Sequence, residues 1–230
     1  MHFHLPKPLH GWRAFAGEVG IIVIGVLIAL GAQQVVEMLQ WRSDAREFRK
    51  SVDHELALNL GTYAFNEMQH KCIRRRLDEL ETMLDRSRRG ETVHLIGKIS
   101  APLSLSQYSS VWDNKDAQVV AHLPVDVRLK YAELYDEFRN TNALKGLQDS
   151  AWHKFVEFEE PGPLSLEDRR QLHGLIDAAR SFDSAMEGNW PGSKKLGAAL
   201  GIHPQLEPDA ARFIHFIPQF GVCKPILKAS

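Results

Sequence analysis

The sequence predicts an all-α protein: one N-terminal transmembrane helix, then a long helix and a helical bundle domain of about four or five helices. Three observations carry this. Residues 19–32, VGIIVIGVLIALGA, contain no charged or strongly polar side chain. Residues 33–89 are free of proline and repeat apolar residues at helical spacing. Strand signals, runs of alternating β-branched and aromatic residues, are nearly missing elsewhere.

The first element is the apolar run. A bilayer core about 30 Å thick needs roughly 20 helical residues, and residues 14–37 supply that length if Glu18, Gln33 and Gln34 are tolerated near the edges. Trp12 and Trp41 stand about 43 Å apart along such a helix, matching the interfacial belts that tryptophan prefers. Two alternatives stay open. A buried core helix would seldom keep four turns wholly apolar. A cleaved signal peptide would use Lys7 and Arg13 as its basic region and Ala29-Leu30-Gly31 as its cleavage site. Gly20, Gly25 and Ala29 are small residues that would let two spans pack closely, although glycine and alanine are common in membrane helices anyway. Glu18 is an intramembrane acid, a functional candidate by default, but near the hydrocarbon edge it can snorkel to the headgroups. Four basic residues flank the span on its C-terminal side (Arg42, Arg46, Arg49, Lys50) against Lys7 and Arg13 on the other. That count favours a cytoplasmic domain, whereas a short basic tail before a single span fits a signal anchor with its domain outside the cytoplasm.

The next elements follow in order. Val52, Leu56, Leu60 and Tyr63 form one apolar stripe, and Ile73, Leu77, Leu80 and Leu84 a second, with the RRRLDELE charges expected on the opposite, solvated face. An unbroken helix over 33–89 would be about 85 Å long, so a bend is expected near Gly61. Gly90 ends it. Ser104 or Ser106 is expected to cap a shorter helix reaching His122. Pro124 suits the first turn of a helix running to about Glu159, which Pro161-Gly162-Pro163 stops. The S-x-x-D pattern Ser165–Asp168 marks the start of another helix. It is expected to end near Asn189, before Pro191 and Gly192. The domain plan is therefore a tail (1–13), the span (14–37), a bundle (38–190) and a proline-rich segment packed on it (191–230).

Chemistry is sparse. With 28 basic and 29 acidic residues the formal net charge is −1, which argues against a nucleic-acid partner. No nucleophile elbow, phosphate loop, dinucleotide fingerprint or zinc-helix motif is present, so no catalytic residue, metal or cofactor is assigned. His54-Glu55 starts a zinc motif without a second histidine. His2, His4 and His10 are too loosely spaced, and His153 with Glu157 lacks a third ligand. Trp112, Tyr131, Tyr135, Trp152 and Trp190 read as bundle core ahead of a ligand pocket. Cys72 and Cys223 are the most testable pair. A disulfide between them would close a long loop, worth several kcal/mol on the chain-entropy account. Two separate buried thiols, the common state in a reducing compartment, are the alternative.

The stretch Gly17-Glu18 through Leu27-Ile28-Ala29-Leu30, followed by Gln33-Gln34 and Trp41-Arg42, resembles a bacterial family of single-span membrane proteins whose helical domain has no assigned activity. A looser likeness covers Leu123-Pro124 to Tyr135, with Trp112 before it and Trp152 after it. The resemblance implies a single-span bacterial membrane protein, for which the inner membrane is the expected location, and carries no catalytic residue. The leading expectation is a membrane-anchored module for protein–protein interaction or assembly. Its partners would be the bilayer and either its own copies or another membrane protein, with the domain in the periplasm. A small-ligand receptor or enzyme with a site between the helices is the second class, and a secreted helical protein the third.

Overall fold

The computed structural model describes residues 11–228. Most of the expected N-terminal tail, including Lys7 and the three histidines at 2, 4 and 10, lies outside the described residues. The architecture is all-α, with no strand among the described residues. Four long helices dominate: α1 (Trp12–Glu67), α2 (His70–Arg88), α5 (Val125–Phe155) and α6 (Leu166–Leu200). Three short ones complete the set: α3 (Ser110–Asp113), α4 (Ala117–Ala121) and α7 (Pro208–Phe213).

Helix α1 is two things in one rod. Its N-terminal half is long and apolar enough to cross a membrane, and among the described residues nothing packs against its apolar stretch: Ile21 is 74% exposed, while Val52, Leu56 and Leu60 further along are 0% exposed. At Gly20 and Gly25 no other segment among the described residues comes within 4 Å of where a Cβ would project. Ala29 and Glu18 are likewise exposed.

Two cores lie end to end along the rod. The one nearer the apolar run joins Val52, Leu56 and Leu60 of α1 to Trp112, Tyr131, Leu134 and Phe138. The far one joins Leu77, Leu80 and Leu84 of α2 to Trp152, Phe155, Leu172 and Ile176. Helix α5 runs parallel to α1, since Tyr131 bonds Asp53 and Tyr135 bonds Glu55. Helix α6 runs back, meeting α2 through Arg180 and α1 through Met186 and Gly197. Its start is the reciprocal cap read from sequence: Asp168 N donates to Ser165 Oγ (3.1 Å), and Ser165 N donates to Asp168 Oδ2 (2.8 Å).

Four boundaries differ from expectation. Helix α1 continues as helix through Gly61. That glycine instead admits the C-terminal segment, with Gln205 N donating to Ala57 O (2.8 Å) and Gln205 O only 1.8 Å from a hypothetical Cβ. The rod breaks at Met68–Gln69, where the Gln69 side chain is drawn to another segment. The helix expected from Ser104 or Ser106 is absent: both serines lie in chain without regular secondary structure, and α3 and α4 form later, α4 capped by Asp116 (Gln118 N to Oδ1, 2.7 Å). Finally, α6 continues through Pro191 to Leu200, so the expected boundary at 190/191 falls inside a helix. Pro191 and Gly192 are exposed, so the proline ring sits on the solvent side of the helix. Packing holds both flanks, Trp190 on Tyr63 (5.1 Å between centroids) and Gly197 on Leu60. Beyond Leu200 the chain packs on the bundle through Ile202, Ile217, Val222 and Ile226.

Candidate functional site

The polar chemistry of the domain is built from residues that interrupt its apolar stripes. Asn66 and Gln69 stand at the junction of α1 and α2, Asn59 two turns before Asn66, and Asn142 on α5. Each presents a carboxamide, which is one acceptor and two donors, to the segment at 103–108. Gln69 donates to Leu103 O (2.6 Å) and accepts from Leu103 N (2.9 Å). Asn66 does the same for Leu105, Asn142 for Gln107 and Asn59 for Tyr108. Side chains thus satisfy backbone groups of a segment that has no regular secondary structure of its own.

Under that strap lies His70, with Asp183 of α6 on one nitrogen (Nδ1 to Oδ1, 2.6 Å) and Glu67 beside the other (Nε2 to Oε1, 3.1 Å, out of hydrogen-bond alignment). Burial alone would push the imidazole down, but the bond to Asp183 and the charges of Asp183 and Glu67 outweigh it and raise its pKa to about 9. Arg74 is the other cation on Asp183, at 3.7 Å. A histidine held protonated is a poor general base at neutral pH. The cavity it lines with Gln148, Thr141 and Leu103 measures about 20 Å³, on the scale of one water molecule and far below the ~300 Å³ of a small-ligand site. The arrangement ties α2 to α6.

A second polar centre fixes the C-terminal segment. Cys72 and Cys223 are joined by a disulfide across a sequence separation of 151. One turn along α2, Arg76 is completely buried. Its guanidinium donates to Lys98 O (3.2 Å), Gly221 O (3.1 Å), Lys224 O and Glu79 Oε2 (3.1 Å). Glu79 in turn accepts from Ile226 N (3.1 Å), and the neighbouring Arg75 donates to Cys223 O. The expectation that the whole RRRLDELE run faces solvent is therefore corrected. Arg74 and Arg75 do, but Arg76 sits three residues after Ile73 and four before Leu80, inside the apolar stripe. Glu55 is a parallel case: buried, it accepts from Tyr135 Oη (2.6 Å), Ser110 Oγ (2.9 Å) and Val111 N (3.0 Å). Burial and this carboxylate push the Tyr135 hydroxyl far above the ordinary phenol range.

The remaining residues singled out in the sequence are scattered. His54, His153 and Glu157 are exposed and separate, and among the described residues no group of three His, Cys, Asp or Glu is placed to hold a metal ion. Trp112, Tyr131, Tyr135 and Trp152 are core, with Trp112 stacked on Tyr135 at 5.3 Å. Trp12 is 80% exposed, whereas Trp41 is stacked on His122 (4.9 Å between centroids, 6° between planes) and so joins α1 to the α4–α5 turn. No family model, curated protein or solved structure matches this chain.

Proposed function

We propose that this is a single-span bacterial inner-membrane protein whose periplasmic helical domain serves as a protein–protein interaction or assembly module. The observation that carries the reading is the unbroken helix α1, which leads from a wholly exposed apolar run directly into the buried core. Apolar surface left uncovered over about 30 Å of helix is what lipid, not water, accommodates. The Cys72–Cys223 disulfide supports an oxidising compartment, and the resemblance of the Gly17–Leu30 stretch to bacterial anchored proteins supports the anchor. The filled aromatic core and the water-sized cavity at His70 support interaction over substrate turnover.

Fractionation of cells making the full chain tests the anchor: it stays with membranes through an alkaline carbonate wash and keeps its complete mass. Release by the wash, or loss of the first 30 or so residues, overturns the anchor. Maleimide labelling of unfolded protein tests the compartment, since two thiols reactive without reductant would place the domain in the cytoplasm. Crosslinking in intact cells then reports a discrete adduct, and a chain that remains monomeric at every crosslinker concentration refutes the assembly role.

A further inference from the structure

Where α1 leaves the apolar run it forms, with the α4–α5 turn, an open groove of about 800 Å³. Gln34 and Glu37 line its end nearer the run, and Met38 and Leu39, 44% and 56% exposed, come next. Trp41 stacked on His122 makes the middle, and Arg42 and Arg46 follow at the far end. Counted from residue 37, the two arginines stand about 8 and 14 Å further along the helix. The headgroup layer on each side of a bilayer is roughly 5–8 Å deep, and an arginine side chain reaches back several ångströms. The charges are uncommitted. Among the described residues neither Arg42 nor Arg46 has a carboxylate partner; Arg46 Nε donates only to Arg42 O (3.1 Å). The third arginine of the groove, Arg49, is engaged by Asp53 (3.6 Å), and the only lining acid, Glu37, accepts from Gln33 Nε2 (2.9 Å).

Apolar chain, aromatic plate, then paired guanidinium groups is the order of parts in a phospholipid: acyl chain, glycerol, phosphate. We infer that this groove is a binding site for an anionic phospholipid. Arg42 and Arg46 hold its phosphate, the Trp41–His122 plate covers its glycerol, and Met38 and Leu39 meet the first part of its acyl chain. The inference rests on the membrane anchorage proposed above and adds to it a lipid class and a site. Bound there, the lipid seats the domain on the membrane surface through a contact that the span alone does not supply.

The test uses the full chain reconstituted into two sets of vesicles, phosphatidylcholine alone and phosphatidylcholine mixed with phosphatidylglycerol. Mild detergent extraction then allows the retained lipids to be counted by native mass spectrometry. Wild type is expected to keep phosphatidylglycerol over phosphatidylcholine by about thirtyfold beyond their ratio in the vesicle, at about fivefold for each near-surface arginine. Arg42→Gln with Arg46→Gln should bring the two lipids to near parity with an unchanged melting temperature, while Arg86→Gln with Arg88→Gln, at the other end of the domain, should keep the preference. Equal retention of both lipids by wild type, or a preference that survives in the Arg42/Arg46 variant, overturns the site. Protein recovered outside the vesicles altogether overturns the anchorage reading, and this one with it; protein inside them without a lipid preference overturns this one alone.

Discussion

Replacing His70 with glutamine keeps a polar side chain of similar reach but removes the charge that Asp183 and Glu67 surround. Its pKa stands at about 9 in the folded protein against 6.5 for an ordinary histidine. A raised folded-state value means that the contribution is complete below pH 6.5 and is lost as pH rises through 9. Over that interval, at about 1.4 kcal/mol per tenfold change in proton activity, it amounts to about 3 kcal/mol. Urea unfolding of the oxidised full chain in detergent at pH 6, 7, 8 and 9, monitored by tryptophan fluorescence, measures it. The difference in unfolding free energy between wild type and His70→Gln should be largest at pH 6 and shrink by about 3 kcal/mol towards pH 9. Contributions common to both proteins cancel in the difference. Parallel wild-type and variant curves across that range would show that Asp183 and Glu67 do not hold a charged imidazole, and the reasoning would fail.

Three further outcomes are expected. Arg76→Met leaves Glu79 without its cation and the carbonyls of Lys98, Gly221 and Lys224 without a donor; it should lower the unfolding free energy by about 3–5 kcal/mol, visible as a fall in urea midpoint at constant slope. Gly61→Ala places a methyl group against the Gln205 backbone and should cost about 1–3 kcal/mol, with proteolysis accelerated first in the segment after Leu200. Cys72→Ser with Cys223→Ser opens a loop of 151 residues and should lose about 5 kcal/mol on the chain-entropy account; an unchanged denaturation midpoint in non-reducing buffer would mean that the pair is not bonded in solution.

The legible parts of the fold were those written in local pattern. The two apolar stripes are buried where their spacing put them, and Ser165–Asp168 opens α6 with both bonds of its cap. What the sequence could not display was partnership across long separations. Nothing local tells that Asn59, Asn66, Gln69 and Asn142 serve one segment 34 to 49 residues away. Pro191 is a helix breaker by propensity, yet packing on both sides outweighs the lost bond, so tertiary contacts set that boundary. The polar centres did leave a signal that simple charge patterning passes over. Glu55, Asn59 and Arg76 each occupy a position in step with an apolar stripe, and a charged or amide group there must find partners once buried. Reading phase before charge would have separated Arg76 from Arg74 and Arg75.

The unbroken passage of α1 from its exposed half into the core makes the heading of the domain a matter of counting residues. A helix advances about 100° and about 1.5 Å per residue. One residue inserted between Val36 and Ala45 would therefore swing the whole domain about a quarter-turn and lift it slightly, while seven would return it almost to its starting azimuth about 10 Å higher. The length of that short stretch of α1 thus works as a compass setting, fixing which flank of the domain a neighbour in the same plane would meet.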